Sequence, residues 1–263
     1  MENIALHTPI TAKESTAPRK VLRPVSALCF ALLTIVAAYQ QSALADIARQ
    51  PSTLIQTASP PGLTPAKAAR ASSSFRHADF KHDDVSQEAR DTANWVVDSG
   101  DNHGMPFMII DKKQARVLVF DAHGQLGGTS SVLLGLAIGD DSAPGIGHRK
   151  LSSIQPQERT TPAGRFVASL ARNLKGEEIL WIDYNNAIAL HPVVTSNPKE
   201  HRTERLASSN LQDKRISYGC INVPANFYRS YISPAFKGTN GVVYVLPETR
   251  PNRDVFASYY GVE

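Results

Sequence analysis

The sequence lacks a strong excess of charge of either sign. Its 263 residues include 28 basic and 24 acidic side chains, a formal net charge of +4. Without the four basic and two acidic residues of positions 1–45, 24 basic and 22 acidic residues remain, a net charge of +2. This balance does not favour a nucleic-acid partner, and none is expected, whereas mild basicity suits an anionic cell-wall polymer.

Long apolar runs are also scarce. One stands out, the uncharged "VSALCFALLTIVAA" of residues 25–38, and it is preceded by four basic residues, Lys13, Arg19, Lys20 and Arg23. The run is shorter than the roughly 20 residues of a spanning helix, and "ALA" at 43–45 follows as a small-residue cleavage pattern. We predict a cleaved signal peptide over residues 1–45, with an uncleaved anchor as the alternative. The expected location is the periplasm or cell envelope, with transient membrane contact through the signal peptide only.

Cysteine is rare, because the chain has only Cys29 and Cys220. Cleavage of the signal peptide removes Cys29 and leaves a single thiol. Cysteines in oxidising compartments normally form pairs, so an unpaired one is either a partner for another chain or a reactive thiol. The sequence therefore predicts that Cys220 is reactive rather than structural.

The composition changes along the chain in a way that predicts its organisation. Residues 46–82, rich in Ala, Ser, Pro and Thr, are predicted to be a disordered linker. Residues 83–100 have the spacing of a helix, with Asp84 or Ser86 as the N-cap. Residues 101–252 are predicted to form the main domain, and residues 253–263 a C-terminal tail.

The main domain reads as mostly β. Short β-rich runs separated by turn residues, such as "FMII", "RVLVFD", "EILWID" and "AIALHPV", predict an antiparallel meander, with a short helix starting near Pro224. Two polar stretches, residues 139–164 and 192–216, interrupt the strands. Loops of this length are usually functional or disordered, and the second leads directly to Cys220.

A nucleophilic cysteine needs a base and a site that stabilises an oxyanion. Gly219 permits a close backbone approach, and the amides of Gly219 and Cys220 are expected to face a developing oxyanion. All eight histidines precede Cys220, which is not the papain order. His191, at the end of the strand "AIALHPV", is the preferred base, and His201 is the alternative.

Two motifs carry a resemblance to a known family. "TTPAGRF" (160–166) precedes a strand that ends in histidine, and "SYGCIN" (217–222) and "GTNGVVYVL" (238–246) follow it. Over about residues 107–247 this order resembles the L,D-transpeptidase catalytic domain (YkuD-type), whose motif is H-x(14–17)-[ST]-H-G-C-h-N, with h apolar. The positions that match it are Ser217, Gly219, Cys220, Ile221 and Asn222.

Two positions depart from that motif. Tyr218 replaces its second histidine, which changes the hydrogen bonding beside the thiol. The spacing also differs, because 25 residues separate His191 from Ser217, whereas 15 separate His201 from Ser217. With His191 as the base, the 192–216 loop carries an insertion whose basic residues are expected to meet substrate carboxylates; these are Arg202, Arg205, Lys214 and Arg215.

The resemblance implies a mostly β, sandwich-like domain with one or two short helices, acting on peptidoglycan stem peptides. The Cys220 thiolate would attack the carbonyl after the third stem residue, releasing D-alanine, and an amine would resolve the thioester into a 3–3 cross-link. His191, Gly219 and Tyr218 would be catalytic with Cys220, and Ser217, Asn222 and Arg215 would contact substrate. No metal or organic cofactor is expected. The rivals are an L,D-carboxypeptidase and a catalytically silent wall-binding module, and the oligomeric state is left open.

Overall fold

A computed structural model describes residues 74–262 of the chain. The predicted signal peptide, its cleavage site and the linker as far as residue 73 lie outside the described residues. Within 74–262, no helix combines the length and the apolar character needed to cross a membrane. The last part of the predicted linker belongs to the fold, because Asp79 pairs with Gln125 and the Phe80 side chain is buried in an apolar cluster.

The strands are β1 (Phe107–Asp111), β2 (Arg116–Phe120), β3 (Leu126–Ser131), β4 (Leu134–Gly135), β5 (Gly164–Arg172), β6 (Glu178–Asp183), β7 (Ile188–Pro192), β8 (Arg215–Ser217), β9 (Ile221–Val223) and β10 (Gly241–Val245). Eight of them form one sheet in the order β3-β2-β1-β10-β5-β6-β7-β9, and β4 and β8 form a second, two-stranded one. The mostly β prediction is confirmed. The meander is not antiparallel throughout, since β1 with β10, β7 with β9 and β4 with β8 pair in parallel.

The large sheet curls until its two ends nearly meet. Asn222 of the edge strand β9 exchanges two backbone hydrogen bonds of 2.9 Å with Leu133, which follows the opposite edge strand β3. Apolar side chains fill the interior of this curl, and a short helical segment packs among them. It consists of α3 (Ala225–Phe227), a π-helical turn (Tyr228–Ile232) and α4 (Ser233–Phe236). The central strands are therefore buried on both faces, as continuous apolar runs such as "FMII" require.

The outer face of β1 and β10 is covered by a longer helix, α1 (Gln87–Ser99). The Ser86 side chain caps its first turn, and Gly100 ends it in the left-handed conformation, φ 70°. Trp95 of this helix stacks on Phe256 with 6.0 Å between ring centroids. Phe256 and Val262 are buried in the apolar cluster under this helix, so the segment predicted as a tail contributes two side chains to the core.

The two long polar loops have secondary structure of their own. The first contains three 3-10 turns, Ile146–His148, Leu151–Ser153 and Pro156–Glu158. The second contains a helix, α2 (Arg202–Ala207), between 3-10 turns at Pro198–Glu200 and Leu211–Lys214. Each loop is therefore a folded element that holds its side chains in place.

A buried lysine ties the first loop to the end of β1. The Lys112 ammonium donates to Gly139 O at 2.6 Å, to Asp140 Oδ1 at 2.7 Å and to Thr161 O at 2.9 Å. Burial lowers the pKa of Lys112, against the opposing effects of Asp140 and Glu248. All three ammonium hydrogens have acceptors, which is the condition for burying such a charge without a large penalty.

Acid is expected to weaken this cluster through Asp140. Burial raises the pKa of Asp140, but hydrogen bonds from Lys112, from Thr249 and from two backbone N–H groups lower it well below its ordinary value. A carboxyl with a lowered folded-state pKa contributes stability that is complete above its unfolded pKa, about 3.9, and that is lost as pH falls through the folded pKa. Urea unfolding between about pH 5 and about pH 2 should therefore show a shallower loss of stability in Asp140→Asn than in the wild type. Equal slopes would contradict this assignment.

Candidate active site

The pairing of β7 with β9 sets the faces of the candidate residues. His191 is the register partner of Asn222, and the neighbouring pair, Leu190 with Ile221, points into the core. Because side chains alternate along a strand, His191 and Asn222 point to the outer face. Cys220 lies two residues before Asn222, and it packs against Ala189 on that same face. The thiol and the imidazole therefore share one face of the sheet.

The surroundings of His191 fix its tautomer. Its Nδ1 lies 2.8 Å from Pro192 O, and a carbonyl oxygen can only accept, so Nδ1 carries the hydrogen. Nε2 then has the lone pair, and it lies 3.5 Å from Asn222 Nδ2. The side chain is buried, with 6% of its surface exposed. The ring is thus held with its basic nitrogen towards the β9 side.

Ser217 braces the turn that presents the thiol. Its hydroxyl donates to Cys220 O at 2.6 Å and accepts from Gly219 N at 3.0 Å. The Gly219 N–H is therefore committed and is not the oxyanion donor predicted from the sequence. The Cys220 N–H makes no hydrogen bond within residues 74–262, and it is the backbone donor left for that role.

Gly219 is the residue at which the cysteine motif (217–222) packs against the "TTPAGRF" segment (160–166). Its φ is +128°, and a Cβ there would lie 2.6 Å from Thr160 O and 2.9 Å from Ile188 Cδ1. Thr161 Oγ1 also donates to Gly219 O at 2.8 Å and accepts from Gly135 N at 2.8 Å. The "TTPAGRF" segment therefore packs directly under the cysteine turn, and only glycine permits the approach.

Tyr218, which stands where the family motif has histidine, faces the first loop. The Arg159 guanidinium lies over its ring, 4.1 Å from the centroid. Two side-chain nitrogens of Arg159 donate to Ile154 O, which holds the cation in place. Tyr218 therefore forms a cation–π contact between the cysteine turn and the 139–164 loop.

Three residues predicted to bind substrate have internal partners instead. Ser217 and Asn222 have no exposed surface. Arg215 forms an ion pair with Glu248 and donates to Lys112 O. Ser217 and Asn222 contact the cysteine turn and His191 from within the fold, whereas Arg215 belongs to the cluster of Lys112 and Glu248.

The basic residues of the 192–216 loop also point inward. Arg205 donates to Glu200 O and to Asp213 O, and Lys214 donates to two carbonyls of α2. Arg202 is buried and donates to Asn222 Oδ1. The alternative base His201 has 69% of its side chain exposed, and its Nδ1 lies 3.9 Å from a Glu204 oxygen. Of the two candidate bases, the geometry favours His191.

A groove of about 600 Å³ lies along β5 and β6, and neither Cys220 nor His191 is among the residues that line it. It reaches Ala187, whose carbonyl lies 3.6 Å from Cys220 Sγ, and its wall includes Trp181, which packs against the cluster that contains Cys220. Three large apolar side chains along it are unusually exposed; these are Val167 at 54%, Leu174 at 69% and Tyr184 at 72%. Exposed apolar walls around a concave surface are typical of binding sites.

The groove was not predicted from the sequence. The available signal was the aromatic pair in "LWIDY", where Trp181 and Tyr184 lie with ring centroids 5.3 Å apart.

Within residues 74–262, no group of three or more His, Cys, Asp or Glu residues is placed to hold a metal ion.

No protein-family model matches the chain, and no curated protein matches it. Solved structures similar to it include an Enterococcus faecium L,D-transpeptidase mutant, with 16% identity and a TM-score of 0.32, covering 54% of this chain and 50% of that one. The helical cell shape determining protein Pgp2 from Campylobacter jejuni has 14% identity and a TM-score of 0.38, covering 56% and 49%. An L,D-transpeptidase from Mycobacterium tuberculosis has 16% identity and a TM-score of 0.33, covering 53% and 57%.

The matched region spans about half the length of these solved chains. They include L,D-transpeptidases, the family that the two motifs resemble.

Proposed function

We propose that the chain is a cell-envelope cysteine acyltransferase of the L,D-transpeptidase type. The observation that carries the proposal is the register of β7 and β9, which sets the basic nitrogen of His191 and the thiol of Cys220 on one face. A cysteine nucleophile with a histidine base, beside a concave apolar surface, is the arrangement that acyl transfer requires.

The first half-reaction forms a thioester. His191 Nε2 takes the thiol proton, and the thiolate attacks the carbonyl after the third residue of a stem tetrapeptide. The Cys220 N–H donates to the resulting oxyanion. The imidazolium then returns the proton to the leaving amine, so that D-alanine departs and the acyl group remains on sulfur.

The second half-reaction transfers the acyl group. An amine from a neighbouring stem attacks the thioester carbonyl, His191 accepts its proton, and the thiolate leaves to give a 3–3 cross-link. The groove beside Trp181 and Tyr184 would hold the donor stem and exclude water from the thioester. If water attacks instead, the same site gives an L,D-carboxypeptidase.

A carbapenem tests the chemistry without a peptidoglycan substrate. Its strained carbonyl should acylate Cys220, and intact-mass spectrometry of the purified protein should show one adduct. Cys220→Ser should show none. His191→Gln should react about 10²- to 10⁴-fold more slowly, as loss of a general base predicts. A wild-type protein that forms no adduct would favour the silent wall-binding alternative.

Muropeptides decide the fate of the thioester. Incubation with tetrapeptide stems should yield dimers by mass spectrometry, and Cys220→Ser is the control. Tripeptides alone would identify a carboxypeptidase and contradict the cross-linking step.

A further inference from the structure

One side chain of the insertion between β7 and β8, that of Arg202, reaches the candidate site. Arg202, the first residue of α2, is 5% exposed although it carries a charge. Its Nε donates to Glu200 Oε2 at 2.6 Å, and its Nη1 donates to Asn222 Oδ1. Glu200 itself accepts from Asn197 Nδ2 at 3.2 Å. The guanidinium is thus oriented on one side by the insertion and reaches β9 on the other.

This contact fixes the orientation of the Asn222 amide. Arginine has donors and no acceptor, so the atom that faces Nη1 must be the amide oxygen. The amide nitrogen then points the other way, where Asn222 Nδ2 lies 3.5 Å from His191 Nε2 and 3.5 Å from Cys220 O. With the amide turned by 180°, an oxygen would face the histidine and would favour a hydrogen on Nε2.

The two contacts of the imidazole agree with each other. Pro192 O requires a hydrogen on His191 Nδ1, and a donor amide at Nε2 disfavours a hydrogen there. Both select the tautomer whose lone pair is on Nε2. At 3.5 Å the amide contact is longer than a normal hydrogen bond, so it favours the lone pair on Nε2 through the amide dipole rather than through a close hydrogen bond.

We propose that Arg202 is a positioning residue that acts through the Asn222 amide to hold His191 in the tautomer able to accept the thiol proton. The proposal rests on the function proposed above. It assigns Arg202 a role different from the contact with substrate carboxylates expected from the sequence, since its guanidinium donates to Glu200 and to Asn222.

The test measures the His191 tautomer and the Cys220 thiol separately from peptidoglycan chemistry. Nitrogen-15 NMR distinguishes a hydrogen on Nδ1 from one on Nε2, and iodoacetamide alkylation at about pH 7 reports the thiolate. Arg202→Gln should give mixed tautomers and alkylate about 10- to 100-fold more slowly than the wild type. Arg202→Lys keeps a positive charge beside Glu200 but cannot contact Glu200 and Asn222 at the same time. It should therefore show the same change in tautomer and alkylation rate while the ion pair with Glu200 is kept.

Arg205→Gln is the matched control, because Arg205 bonds only to carbonyls of the insertion. It should keep the wild-type tautomer and alkylation rate even if the melting temperature falls. If Arg202→Gln and Arg202→Lys both match Arg205→Gln in tautomer and rate, the positioning role is overturned. If His191→Gln alkylates as fast as the wild type, His191 is not the base. The proposed function then fails together with the positioning role of Arg202.

Discussion

Lys112→Ala should lower the free energy of unfolding by about 3–5 kcal/mol, the usual cost of breaking a buried ion pair from one side. The Lys112 and Asp140 side chains are 0% and 1% exposed. Asp140 would keep its hydrogen bonds from Thr249 and from backbone amides, but its charge would lose the cation that offsets burial. The carbonyls of Gly139 and Thr161 would each lose a donor. Urea unfolding followed by circular dichroism measures the change.

The adjacent lysine provides the control. Lys113 pairs with Glu88 at 3.3 Å, but their side chains are 47% and 52% exposed. Solvent screens such a pair, so Lys113→Ala should cost less than about 1 kcal/mol. Equal losses in the two variants would show that the buried cluster does not hold the first loop to the end of β1.

Gly219→Ala should destabilise the fold and disable the thiol at once. The positive φ costs about 1–3 kcal/mol, and the contact with Thr160 O, 2.6 Å from the new Cβ, adds about 1–3 kcal/mol. Because this clash displaces the turn that carries Cys220, carbapenem acylation should slow by about 10²-fold at a temperature where the variant is folded. Thermal unfolding and intact mass measure the two effects.

Gly238→Ala is the control that separates the cost of backbone strain from the cost of the steric clash. Gly238 has φ +76°, and a Cβ there would meet nothing within 4 Å. The expected cost is only that of the left-handed backbone, about 1–2 kcal/mol, with acylation unchanged. If Gly219→Ala behaves like Gly238→Ala, the close packing of the two motifs has no functional consequence.

Local pattern predicted the strands well and their partners poorly. The apolar runs that became β1, β6 and β7 were visible because their alternation and length are local properties. The parallel pairing of β1 with β10 joins opposite ends of the domain, and no local signal encodes it. The burial of Phe256 escaped prediction for the same reason, since it depends on Trp95 of α1.

For the candidate site, too, the residue types were predictable from the sequence, whereas several of their contacts were not. Cys220, Gly219 and His191 were singled out from residue type and order, and the register of β7 and β9 is consistent with them. The inward turn of Arg202 could not be foreseen, because charge in a polar loop normally indicates exposure. The burial of Lys112 rather than Lys113 was equally hidden, since both follow the same strand.

The closure of the sheet between Leu133 and Asn222 bears on the order in which parts of the domain fold. Its hydrogen bonds connect distant parts of the chain, and such pairings form slowly because much chain must be ordered first. Until that closure, β9 is an open edge of the sheet, and Asn222 lacks its two backbone partners at Leu133. We therefore expect the sheet edge that borders the candidate site to be among the last parts of the domain to become ordered.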